Sequence, residues 1–224
     1  MNKLIDKKQA IDYIQNNDTV MIGGFTNFGS PLHLMYELAQ RDIRDLTIIS
    51  EDLGYGGMSY DQGQGVLLSN GQVKEAIVSF VGGYPLVNQL VEQGKLKLTL
   101  VPQGTLAERI RAGGAGIGGF YTPTGVGTVV EEGKETRVID GKKYLFEKPL
   151  RANVALVKAW KADTMGNAVF KYTAANFNPL MAMAADIVIL EAEEVVQPGE
   201  IEPDHVQLPG VFVDYVVLAK EVVF

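Results

Sequence analysis

Four groups of residues in this 224-residue chain could do chemistry. Glu51 and Asp52 follow the apolar run of "LTIISED". Adjacent carboxylates at the carboxyl end of a strand suit nucleophilic or acid–base work, and they equally suit a solvated strand end. Gln103, in "VPQGT", carries a neutral amide that could orient a carboxylate or carbonyl without shifting its charge, or simply cap the helix that follows. Gly23 and Gly24, in "VMIGGFTNFGSP", stand where an apolar strand hands over to a helix. Glycine there lets a ligand approach the backbone, and the first N–H groups of the helix favour an anion; a tight turn without a ligand would use the same residues. Gly114–Gly119 fits G-x-G-x-x-G. That pattern means dinucleotide binding only after a strand and before a helix, and here it follows the helical "LAERIRA", so no nicotinamide cofactor is expected.

Composition removes other chemistries. The chain has no cysteine, which excludes disulfides, Cys-ligated zinc and thiol catalysis. With two histidines, His33 and His205, a His-rich metal site is impossible; no metal is expected, and each histidine reads as a surface or cap residue. The formal net charge is −7 and the basic residues do not cluster, so nucleic acid is not an expected partner. No apolar run approaches the roughly 18 residues of a membrane span. The opening "MNKLIDKKQAID" lacks the apolar core of a secretory signal. A cytoplasmic location is expected.

The elements that must position these groups alternate in type. Ile5–Gln15 reads as a helix and Thr19–Ile22 as a buried strand. Pro31–Gln40 pairs Leu34 with Leu38 and Met35 with Ala39 at i,i+4, with Ser30 as the expected N-cap and Pro31 at the first helical position. Leu46–Ser50 and Val73–Phe80 read as strands, Pro85–Gly94 as a helix closed by glycine, "LKLTLV" as a strand and Gly104–Gly114 as a helix. A long glycine-rich connection then leads to "TRVIDGKKYLFE", a hairpin with an Asp-Gly turn. "VALVKAW", "DIVILEA" and "VDYVVL" supply further strands. This order predicts one α/β domain over 1–224, a mostly parallel open sheet with helices on both faces and an inserted β-hairpin.

Asn16–Pro31, "NNDTVMIGGFTNFGSP", resembles the N-terminal signature of family I CoA-transferases, and every fixed position of that signature is matched. Leu100–Lys134, "NFNPLMAMAADIVILEAEE" and "LPGVFVDYVV" extend the resemblance over almost the whole chain. It is nearest to the α subunits of acetate/acetoacetate (short-chain fatty acid, 3-oxoacid) CoA-transferases. The resemblance implies a NagB/RpiA-like fold and, as partner, a β subunit, in an αβ or α2β2-type heteromer. It also implies coenzyme A or acyl-CoA as substrate, with no tightly bound cofactor. The reaction it implies is ping-pong: a β-subunit glutamate attacks the acyl-CoA thioester, and CoA then attacks the resulting anhydride to leave a glutamyl-CoA thioester. It places coenzyme A at Gly23, Gly24, Phe25, Thr26, Asn27, Phe28 and Gly29 and the acyl carboxylate near Gln103, with no catalytic residue expected in this chain. One departure stands out. Such α subunits carry Asn-Asp or Asn-Asn where this chain has Glu51-Asp52, so "SED" resembles the nucleophile segment of the β subunit. A sugar-phosphate isomerase on the same fold and a non-catalytic acyl-CoA or nucleotide sensor are the competing readings.

Overall fold

The computed structural model describes residues 2–54, 63–82 and 84–219. Tyr55, Gly56 and Gly57, in the glycine-bearing stretch that follows Asp52 in the sequence, lie outside the described residues.

Eleven strands are described: β1 (Thr19–Ile22), β2 (Leu46–Ile49), β3 (Val73–Val78), β4 (Lys97–Leu100), β5 (Phe120–Thr122), β6 (Thr136–Ile139), β7 (Lys142–Glu147), β8 (Ala152–Asp163), β9 (Ala168–Val169), β10 (Ala185–Val196) and β11 (Tyr215–Leu218). Seven of them form a parallel sheet in the order β11-β10-β8-β1-β2-β3-β4, and β9 adds to β8 antiparallel. Both faces are covered, which is why the strands read as near-continuous apolar runs. Val20 and Ile22 of β1 pack in one core with residues of α1 (Lys7–Ile11), α2 (Leu32–Ala39), α3 (Gly65–Ser69) and α4 (Pro85–Glu92). Met21 points the other way, into a second core with residues of α5 (Gln103–Gly114) and α6 (Asn178–Met183). The period-2 alternation of a strand thus divides three consecutive residues between two cores.

The expected mostly parallel α/β sheet is what the chain forms. The expected hairpin is present in register Ile139↔Lys142, with Asp140 at φ +50° and Gly141 at φ +76°, the left-handed pair a two-residue turn needs. β5 joins β7 on its other side, so the insertion is a three-stranded antiparallel sheet. The helix over Pro85–Gly94 ends as its glycine implies: Gly94 has φ +66°, and the Lys95 N–H donates to Leu90 O at 2.9 Å.

Two expectations are corrected. The opening helix is confined to Lys7–Ile11, where the Asp6 carboxylate accepts the Lys8 N–H at 2.8 Å. Ser30 does not cap α2. Its hydroxyl donates back to Thr26 O at 3.0 Å, and Pro31 takes the cap position with no side-chain cap of its own. Ser30 closes the loop behind the helix instead of capping it.

Chain order runs outward from β1 through β2, β3 and β4 with helices on one face, then returns to β8 on the other side of β1 and continues to β10 and β11. The direction reverses between β1 and β8. In open α/β sheets the crevice beyond the carboxyl ends of the strands at such a reversal is where ligands bind. Among the described residues, no helix is long and apolar enough to cross a membrane.

Candidate active site

The groups singled out in the sequence meet at that carboxyl edge. Glu51 and Asp52 leave β2 and are each only 3% exposed. The Glu51 Oε1 accepts from the Ser79 hydroxyl at 2.7 Å, just beyond β3, and from the Gln103 amide Nε2 at 3.0 Å, just beyond β4. Asp52 Oδ2 accepts the Thr26 N–H at 2.5 Å, beyond β1, and Oδ1 accepts the Gly54 N–H at 2.6 Å. The two carboxyl groups are neighbours in the chain and both buried. Polar groups beyond four adjacent strands therefore converge on this pair, Ser79 and Gln103 on Glu51 and Thr26 on Asp52. The solvated-pair reading of Glu51-Asp52 is excluded by their burial.

Two neighbouring buried carboxyl groups cannot both be ionised without repulsion. Burial, and then the adjacent Glu51 side chain, push the Asp52 carboxyl up to about 6, against the opposing pull of the Gly54 and Thr26 N–H donors. Below about pH 6 the Asp52 carboxyl holds a proton.

The Gly23–Gly29 segment folds into a knuckle. The Phe25 N–H donates to Phe28 O and the Phe28 N–H to Phe25 O, both at 3.0 Å, leaving Thr26 and Asn27 at the tip. Thr26 has φ +53°, a costly conformation for a β-branched residue, held by its N–H bond to Asp52 and by Ser30 on its carbonyl. The glycines are filled around, not vacant. A Cβ on Gly23 would lie 1.9 Å from Asn178 Oδ1, one on Gly24 2.1 Å from Ser30 Oγ, and one on Gly29 2.6 Å from Ala174 O. The knuckle presents Phe28, 69% exposed, outward.

The helix N-terminus behind the knuckle is already occupied by an anion. The buried Glu191 carboxylate, from β10, accepts the Leu34 N–H at 3.0 Å and lies 3.1 Å from His33 Nδ1 and 3.7 Å from Lys158 Nζ. The charge that the first turn of α2 favours is supplied from within the chain. His33 is thus a partner of this network, not a surface group, whereas His205 lies exposed in the 3-10 turn Pro203–His205. Gly114–Gly119 follows α5 and leads into β5, as its context implied. A cavity of about 490 Å3 opens beside the first turns of α5, lined by Gly104, Thr105, Glu108, Phe120, Tyr121, Thr122 and Thr124. Among the described residues, no group of three His, Asp or Glu is placed to hold a metal.

Sequence reasoning did not single out Ser79, Asn178 or Glu191. Ser79 lies just beyond an apolar strand and Glu191 within one that also carries Asp186, Glu193 and Glu194, so neither is marked by a local signal. Asn178 stood in the quoted "NFNPLMAMAADIVILEAEE", but its contact with Gly23 spans most of the chain.

The "Coenzyme A transferase" family model matches residues 5–219. The chain is 46% identical to the alpha chain of the acetate CoA-transferase of Escherichia coli, over 98% of each chain. It is 44% identical to the alpha chain of an acetoacetyl-CoA:acetate/butyrate CoA transferase of Clostridium acetobutylicum, over 96% of this chain and 97% of that one. Among solved structures, an acyl-CoA transferase from E. coli O157:H7, in a thioester complex with CoA, superposes with a TM-score of 0.86 at 26% identity. The match covers 97% of this chain and 47% of that longer one.

Proposed function

The chain belongs to the coenzyme A transferase family, and from that premise we propose that it is the α subunit of a heteromeric, cytoplasmic transferase, with 1–224 forming one α-subunit domain. The complex moves coenzyme A between a short-chain acyl-CoA, acetyl-CoA or butyryl-CoA, and a carboxylate such as acetoacetate. A β-subunit glutamate attacks the thioester carbonyl and expels the CoA thiolate, giving an acyl-glutamyl anhydride. The thiolate attacks the glutamyl carbonyl and releases the donor carboxylate. The acceptor carboxylate then reverses both steps. This chain contributes the knuckle Gly23–Gly29 against the CoA arm and Gln103 near the acyl carboxylate. No cofactor beyond the CoA substrate is needed.

The observation that carries the assignment of the nucleophile to the partner is the state of Glu51. A nucleophile must present an oxygen to the thioester carbon. Glu51 is buried, with Oε1 held by Ser79 and Gln103. Two further facts support the reading: relatives of matching length are named as alpha subunits, and the transferase solved with CoA is about twice as long. The test is transfer between acetyl-CoA and acetoacetate. The purified chain should be inactive and should gain activity when the β subunit is added. Borohydride or hydroxylamine trapping should label the β chain, and a thioester trapped on Glu51 would overturn the assignment.

A further inference from the structure

Asn178 is the first residue of α6 and is fully buried. It sits at the reversal point between β1 and β8. Its Oδ1 accepts the Lys158 N–H of β8 at 2.9 Å, and its Nδ2 donates to Gly29 O at 2.9 Å and to Ala174 O at 2.8 Å. Both amide hydrogens and the oxygen are used, and the flipped orientation would set oxygen against two carbonyls. On the same side, the Asn176 Nδ2 donates to Phe28 O at 2.9 Å. Asn176 itself is held at φ +20°, so the segment 176–178 is strained into the shape that grips the knuckle. The Asn178 Oδ1 fills the space where a Gly23 Cβ would stand. One side chain therefore touches both the first and the last glycine of the loop and ties them to β8.

We propose that Asn178 is the positioning residue of the Gly23–Gly29 knuckle, and that Gly23 is glycine to admit it. The proposal rests on the reading of the knuckle as the CoA-contacting loop. A loop ordered in advance binds without the entropic cost of ordering it at that moment. Removing Asn178 frees the Gly29 end of the loop and opens a void beside Gly23, which stays bonded to Leu156 O, and so raises the cost of binding CoA without touching the reacting carbonyl. The binding effect and the Gly23 contact are separable, because the contact shows in stability and the positioning in KM.

The experiment uses the complex assembled with its β subunit, takes acetyl-CoA as the probe, and compares KM, kcat and melting temperature. Asn178→Ala should raise KM at least tenfold while kcat changes less than threefold. Asn178→Asp keeps the shape but sets a carboxylate oxygen against Gly29 O and Ala174 O, and should behave as Asn178→Ala does. Gly23→Ala alone should lower the melting temperature more than Asn178→Ala does. The double variant should melt above Gly23→Ala, because the added Cβ then occupies the vacated space, yet keep the raised KM. Phe28→Ala, which leaves the knuckle backbone bonds intact, serves as the direct probe of the loop. If Phe28→Ala raises KM and the Asn178 variants move only the melting temperature, the positioning proposal fails and the CoA reading stands. If KM is unchanged in both, the CoA reading fails and the proposal fails with it. Additive losses of melting temperature in the double variant would refute the pairing of Gly23 with Asn178.

Discussion

Two glycine-rich segments of this chain, Gly23–Gly29 and Gly114–Gly119, look alike in sequence and differ in what surrounds them. In the knuckle, every glycine would place a Cβ within 2.6 Å of another atom. In the second segment the ends are crowded, with Gly114 against Met183 O at 2.9 Å and Gly119 against the Phe146 ring at 2.3 Å, but Gly116 and Gly118 have nothing within 4 Å. The first segment lies between a strand and a helix at the sheet reversal; the second closes a helix. Gly116 has φ +70°, and the Ile117 N–H donates to Ala112 O at 2.8 Å, the arrangement that ends a helix on a left-handed residue. Spacing of glycines reports a backbone requirement, and only the neighbours say whether it serves packing, a helix end or a site.

The largest expected effect that sharpens this contrast is Gly24→Val. Gly24 has φ +119° and its Cβ direction meets Ser30 Oγ at 2.1 Å and Ser30 Cα at 3.1 Å. Sequence alone suggests a variant that folds and loses only CoA affinity. The contact with the Ser30 backbone instead predicts a loss of about 3 kcal/mol or more, because strain and overpacking combine. A melt of the complex that matches wild type would break the comparison from the knuckle side.

Next comes Asp52→Asn, which tests the tether from Asp52 to Thr26 that the second segment lacks. A carboxyl raised to about 6 by burial and by Glu51 binds its proton more tightly in the folded state than in the unfolded one. Its contribution is fully present below the ordinary value of 3.8 and is lost as pH rises through about 6. Wild type should therefore lose stability relative to Asp52→Asn between pH 4 and pH 7. A difference in melting temperature between the two proteins that stays constant over that range would show that the pair shares no proton.

Smaller effects lie in the second segment. Gly116→Ala must place a side chain at φ +70° in open space, and should cost about 1 kcal/mol from the left-handed conformation alone. Gly118→Ala meets neither strain nor neighbours, and its melting temperature should stay within the change expected of about 0.5 kcal/mol. A large loss at Gly118 would mean that the open half of this segment is packed after all, and the contrast with the knuckle would weaken.

The sequence by itself determined what nearby residues decide. The alternation of strands and helices, the Asp140-Gly141 turn and the glycine ending of α4 all follow from periodicity and φ preferences over a few positions. So did the misfit of Gly114–Gly119 as a dinucleotide site, since its element context is local. The strand-end placement of Glu51 and Gln103 was legible too, because both follow apolar runs. Only the tertiary structure decided that these two side chains meet at 3.0 Å, since residues 52 positions apart become neighbours through the order of strands in the sheet. The same holds for Glu191 capping α2 from β10 and for Asn178 filling the space beside Gly23. Ser30 shows the limit most clearly. By local preference it is a helix cap, yet its hydroxyl turned to Thr26 O, while the Leu34 N–H of α2 found a buried carboxylate 157 residues away in the chain.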